Sequence, residues 1–125
     1  MYQPIAKTLY SNKASGDGTT LTVTGSSANT INLREVTDVV LSVVITGSPA
    51  GTLPTLVVQL DCQDANGNWL PQVVKTGSLN AAGTTVVYGG LHTSSVVLTD
   101  AGRITWTIGG TGSPSFAAQI SLEGR

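Results

Sequence analysis

Apolar and polar residues alternate with a period of two along most of the chain, the spacing of half-buried β-strands. In "DVVLSVVIT", Val39, Leu41, Val43 and Ile45 share one face. In "TLVVQLDCQ", Leu56, Val58, Leu60 and Cys62 align against Val57, Gln59 and Asp61. "TTLTVT" sets Leu21 and Val23 against Thr20, Thr22 and Thr24. Near the C-terminus, Ile104, Trp106 and Ile108 oppose Arg103, Thr105 and Thr107; further on, Phe116, Ala118, Ile120 and Leu122 share a face. Shorter strands are predicted over Ile5–Tyr10, Asn68–Thr76, Thr84–Tyr88 and Ser95–Thr99. Pro71 cannot donate to a ladder, which assigns the Asn68–Thr76 strand to a sheet edge. No segment carries a helical period; "NTINLREVTD" comes nearest, and its Thr and Val content argues against a helix.

Turn residues separate these runs at the spacing of an all-β sandwich or barrel. They cluster at Ser15–Gly18, Gly25–Asn29, Gly47–Gly51, Asp64–Asn68, Gly77–Gly83 and Gly89–Ser94. The expected fold is an antiparallel β-sandwich, Ig-like or jelly-roll, of about eight to nine strands. Residues 1–18 are expected to form an N-terminal arm or edge strand, and residues 19–125 the sandwich. The last two alternating segments, joined by "GGTGSP", read as a β-hairpin. Val40, Val44 and Val57 fall on the outward faces, where a lone sandwich carries polar residues. Either those strands are covered on both sides, or that face meets another subunit, or valine is there simply because it suits strands.

Composition narrows the function. The 125 residues fit one domain, with six Lys and Arg, seven Asp and Glu, and a net charge of −1. Only 10% of residues are charged, against about 25% in average domains, so the surface is built from Thr, Ser, Gly, Asn and Gln. Such a surface offers no electrostatic field for nucleic acid. The longest mostly apolar run, Val39–Ile45, is far shorter than the roughly 20 residues of a membrane-spanning helix. "MYQPIAKTLY" lacks the charged start and apolar run of a signal peptide.

Candidate chemistry is sparse. His92, the single histidine, sits in "GGLHTSS" near Ser94, Ser95 and Asp100 without a nucleophile-elbow pattern, and reads as a solvated loop residue. Cys62, the single cysteine, lies on an inward face with Leu60 and reads as an inert core thiol rather than as half of a Cys62–His92 dyad. Asp61, Asp64, Asn66 and Asn68 gather oxygens that calcium favours. The spacing departs from an EF-hand loop, and Asn66-Gly67 matches a tight hairpin turn. No metal site, cofactor or catalytic residue is expected, and a small-molecule ligand is not anticipated. Trp106 is flanked by Ile104 and Ile108 as a core residue. Trp69 is assigned to the core or an interface, with sugar stacking as the alternative.

Two segments, "VVQLDCQDANGNWLPQVV" and "GRITWTIGGTGSPSFAAQISLEG", resemble a pattern in small structural proteins of tailed bacteriophages. Asp64, Gly67, Trp69, Arg103, Trp106, Gly109, Gly110, Thr111, Pro114, Ser115 and Phe116 carry the resemblance, which spans Val57 to Gly124. It implies a non-enzymatic virion protein on the phage head surface, made in the host cytoplasm. Such a protein decorates or cements the shell through the major capsid protein and through its own copies, often as a trimer. The expected contact residues are Tyr2, Pro4, Ile5, Leu9 and Tyr10, as an extended arm, with Val40, Val44 and Val57 as a face. The alternatives are a carbohydrate-binding or tail-associated β-sandwich module, with Trp69 and a tyrosine exposed together, and a hydrolase built on His92.

Overall fold

The computed structural model describes residues 6–93 and 96–125. The elements run β1 (Lys7–Ser11), α1 (Asn12–Ser15), β2 (Thr20–Leu21), β3 (Gly25–Ser26), β4 (Ile31–Asn32), β5 (Asp38–Ile45), β6 (Ala50–Gln63), β7 (Trp69–Lys75), β8 (Gly83–Gly90) and β9 (Ala101–Gly124). Every strand pairing is antiparallel, and the chain is an all-β sandwich, as the alternation predicts.

The strand order is β7-β6-β9-β5-β8. β9 organises it. Its first half pairs with β6 on one side and with the short strands β3 and β4 on the other. Its second half pairs with β5 and β1, and β2 joins at Phe116 and Ala117. The inner faces of the two halves close on one core. Leu56, Val58, Leu60, Cys62, Ile104 and Trp106 come from one layer; Leu41, Val43, Phe116, Ala118, Ile120 and Leu122 come from the other. Each large aliphatic or aromatic side chain among them contributes roughly 1.5–3 kcal/mol on burial. The outer strands β7 and β8 also touch. Gly89 lies so close to the Val74 side chain that a β-carbon would overlap it, and the sandwich is nearly a closed barrel.

The terminal segment corrects one expectation. Its two alternating halves do not form a hairpin with each other; they are one bent strand shared by both layers. Positive φ at Gly110, Gly112 and Ser113 turns the strand through a corner rather than back on itself. β6 bends beside it, with bulges between Ala50 and Thr55 and positive φ at Gly51 and Leu53. The chemistry that makes a reverse turn also makes a corner, and pairing with β6 and β5 selects the corner.

Other expectations shift as well. Residues 96–99 are not strand, while Ser94 and Ser95 lie outside the described residues. Val23 is 71% exposed rather than inward, because the pairing of "TTLTVT" ends at Leu21. Of the two readings of the N-terminal segment, residues 7–11 take the strand: β1 overlaps the expected Ile5–Tyr10 strand and pairs with Ser121–Gly124 of β9. The one-turn helix α1 follows. Its Ala14 N–H donates to Ser11 Oγ at 3.3 Å, and Gly16 ends it in the left-handed conformation. "NTINLREVTD" forms no helix: β4 pairs with Ala101–Gly102, and Glu35 has φ 61°.

Candidate interaction surface

β5 lies between β8 and the second half of β9, and the register fixes the outer face of this layer. Val40 sits between Tyr88 and Glu123, Ser42 between Val86 and Ser121, and Val44 between Thr84 and Gln119. The Ser42 and Ser121 hydroxyls meet at 2.5 Å, closing the polar centre of the face. Around them Val40 and Val44 are half-buried, Val86 is exposed, and Tyr88 is 64% exposed. A groove of about 310 Å³ opens at one end, between Ala6, Val40, Tyr88, Gly124 and Arg125.

Of the residues expected to make contacts, Val40 and Val44 therefore share a face. Val57 does not join them: it lies on β6, opposite Thr107, on the outside of the other layer. Tyr10 is buried in the core, and its hydroxyl donates to Asp17 Oδ2 at 2.7 Å. Burial holds that hydroxyl far above the ordinary phenol range, with the Asp17 hydrogen bond adding to it. Tyr10 is thus a core residue, and Leu9 packs half-buried against the same core. Tyr2, Pro4 and Ile5 lie outside the described residues. Val86 and Tyr88 were missed because "TTVVYGG" places valines on both faces; only the pairing with β5 reveals which one looks outward.

His92 is surface-exposed but anchored. Its backbone N–H donates to Asp38 Oδ1 at 2.9 Å, and Nδ1 lies 2.8 Å from Asp38 Oδ2. Arg125 Nε stands 3.8 Å from the same oxygen. These groups hold the Asp38 carboxyl below the ordinary aspartate range, the His92 backbone hydrogen bond most strongly, against the opposing effect of desolvation. Asp38, rather than the nearby Asp100, is the carboxylate that meets His92. The pair pins the loop after β8 to the start of β5. Cys62 is fully buried in the core, apart from the exposed histidine.

The oxygen-rich stretch is a turn. Asp64 Oδ1 accepts from Asn66 N at 2.8 Å and from Asn68 N at 2.9 Å, while Asn68 Nδ2 donates to Oδ2 at 3.2 Å. These hydrogen bonds, led by the Asn68 amide, hold the Asp64 carboxyl below its ordinary range. No group of three or more metal-ligating acid, histidine or cysteine side chains occurs among the described residues. Behind the turn, the buried Asp61 carboxylate accepts from Gln59 Nε2, Gln72 N and Arg103 Nε at 2.8, 3.0 and 3.2 Å. The Arg103 guanidinium covers the Trp69 ring, so one face of that indole is already occupied.

No protein-family model matches the chain, and no curated protein matches it.

Proposed function

We propose that the chain is a structural, non-enzymatic virion protein of a tailed bacteriophage, one that decorates or cements the capsid. In this reading the outer face of β8, β5 and the second half of β9 seats against the major capsid protein. The observation that carries it is the outer-face row of half-buried Val40 and Val44 and exposed Val86 and Tyr88, a largely apolar strip among the described residues. The resemblance to phage structural proteins supports the reading. Many identical contacts of this kind on a shell add through multivalency, so each can be weak.

The test is co-sedimentation with capsids from the source phage stripped of this protein. Wild type is expected to bind. Val40→Asp and Val86→Asp are expected to bind at least about tenfold more weakly, because each buries an unpaired charge. Circular dichroism checks that both variants remain folded. Undiminished binding by folded variants removes the face from the reading; failure of wild type to bind stripped capsids removes the reading.

A further inference from the structure

The asparagines of the chain are Asn12, Asn29, Asn32, Asn66, Asn68 and Asn80, and only Asn66 is followed by glycine. An asparagine side-chain carbonyl is attacked most readily by the next backbone nitrogen when that residue has no β-carbon to crowd the approach. The turn needs this glycine for its backbone. Gly67 has φ 85°, while a β-carbon there would meet nothing nearer than Gln63 Nε2 at 3.8 Å. The residue that lets the chain turn therefore also bares a nucleophile beside Asn66.

Asn66 and Gly67 are both exposed, so water reaches the pair. Among the described residues, none hydrogen-bonds the Asn66 side chain, whereas buried Asn12 has Nδ2 on Ala118 O and Oδ1 on Ile120 N. The restraint falls on the nucleophile instead. Gly67 N donates to Asp64 O at 3.2 Å. Asp64 Oδ1 accepts from the amides on either side, Asn66 N and Asn68 N, at 2.8 and 2.9 Å. To reach Asn66 Cγ, Gly67 N must leave Asp64 O, and the peptide plane between Asn66 and Gly67 must rotate against both bonds to Oδ1. A local opening of the turn therefore precedes the reaction.

We propose that Asn66 is a site of spontaneous deamidation and that the Asp64 turn is the gate that sets its rate. Gly67 N gives up its proton and bonds to Asn66 Cγ; the Cγ–Nδ2 bond breaks, and ammonia leaves with that proton. Water then opens the cyclic imide at either carbonyl, giving aspartate or isoaspartate. Isoaspartate carries the main chain through the side-chain methylene. It lengthens the path between Asp64 N and Asn68 O, whose hydrogen bond at 2.8 Å closes the connection from β6 to β7. Trp69, which starts β7 beneath the Arg103 guanidinium, follows directly. The product is a looser and more acidic turn. The inference stands independently of the virion reading, because it needs no capsid.

The full chain, aged in warm, mildly alkaline buffer and mapped by peptide mass spectrometry, tests it. Asn66 is expected to convert before any other asparagine. Conversion should be several-fold slower in the folded chain than in unfolding urea. Asp64→Ala, shown to be folded by circular dichroism, should convert several-fold faster than wild type. Asn66→Gln should abolish the change, since the longer side chain closes a larger ring far more slowly. The converted fraction, separated by ion exchange, should melt below the unconverted one. A first conversion at another asparagine overturns the site. So does a folded chain that never converts at Asn66 while the unfolded chain does. Equal rates in the folded and unfolded chain, or a folded Asp64→Ala as slow as wild type, overturn the gate. Identical melts of the two fractions overturn the loosening of the turn.

Discussion

The Arg103 guanidinium lies over the Trp69 ring, 4.3 Å from its centroid, while its Nε reaches the buried Asp61 carboxylate at 3.2 Å. Three strands are tied together by this arrangement: Asp61 on β6, Trp69 on β7 and Arg103 on β9. It gives Trp69 and Arg103 a structural role within the fold. Arg103 neutralises a carboxylate that is only 2% exposed, and Trp69 shields the cation from water.

Removing one partner of a buried pair strands the other. Asp61→Ala is therefore expected to lower stability by about 3 kcal/mol, since the Gln72 amide and Arg103 lose their acceptor together. Arg103→Lys keeps the charge but loses the planar stack, and should lose about 1 kcal/mol. Urea unfolding with an unchanged m-value checks both. A lysine variant as damaged as the alanine variant would show that charge alone is not what the site uses.

The corner makes a second, sharper prediction. A β-carbon on Gly110 would stand 2.8 Å from the Leu53 carbonyl oxygen, and one on Gly51 would stand 2.9 Å from the Pro114 α-carbon. Both glycines have φ above 100°. The obstacles are backbone atoms, which cannot swing away. Gly110→Ala and Gly51→Ala are each expected to cost about 2 kcal/mol or more. Gly47 sits in the nearby turn with open space around it, and Gly47→Ala should stay within about 0.5 kcal/mol of wild type. Thermal melts of the three variants decide it; equal effects would mean that the corner is not the constraint.

These sites show what the sequence could and could not tell. The core faces were legible, because alternation is a local signal: Leu41, Val43, Leu56, Val58 and Leu60 are all fully buried where the period places them. The Asp64 turn was legible for the same reason, since every hydrogen bond of its side chain stays within four residues. What was not legible depends on long-range pairing. Whether "GGTGSP" reverses the chain or bends it is decided by β6, which lies far earlier in the sequence. Tyr10 reads as an arm residue until Asp17 and the core enclose it. Asn12 gives no sequence signal, yet its side chain bonds Ala118 O and Ile120 N across the fold.

The last prediction concerns acid. Asp38 and Asp64 both have carboxyls held below the ordinary aspartate value of 3.8. In the unfolded chain these groups take up protons near that value; in the folded protein they resist until the pH is lower. Between the two values the unfolded state binds more protons, so stability falls as pH falls. The contribution is fully present above about pH 5 and is lost progressively below about pH 4. Asp38→Asn should lower stability at neutral pH, because the amide cannot match the carboxylate toward the His92 amide and Arg125. It should also flatten the acid limb. His92→Ala should flatten it less, because the backbone N–H of residue 92, the largest influence on Asp38, is retained. Urea midpoints measured from neutral pH down through the acid limb read both effects. An Asp38→Asn acid limb parallel to that of wild type would show that Asp38 is not among the groups whose protonation unfolds the protein.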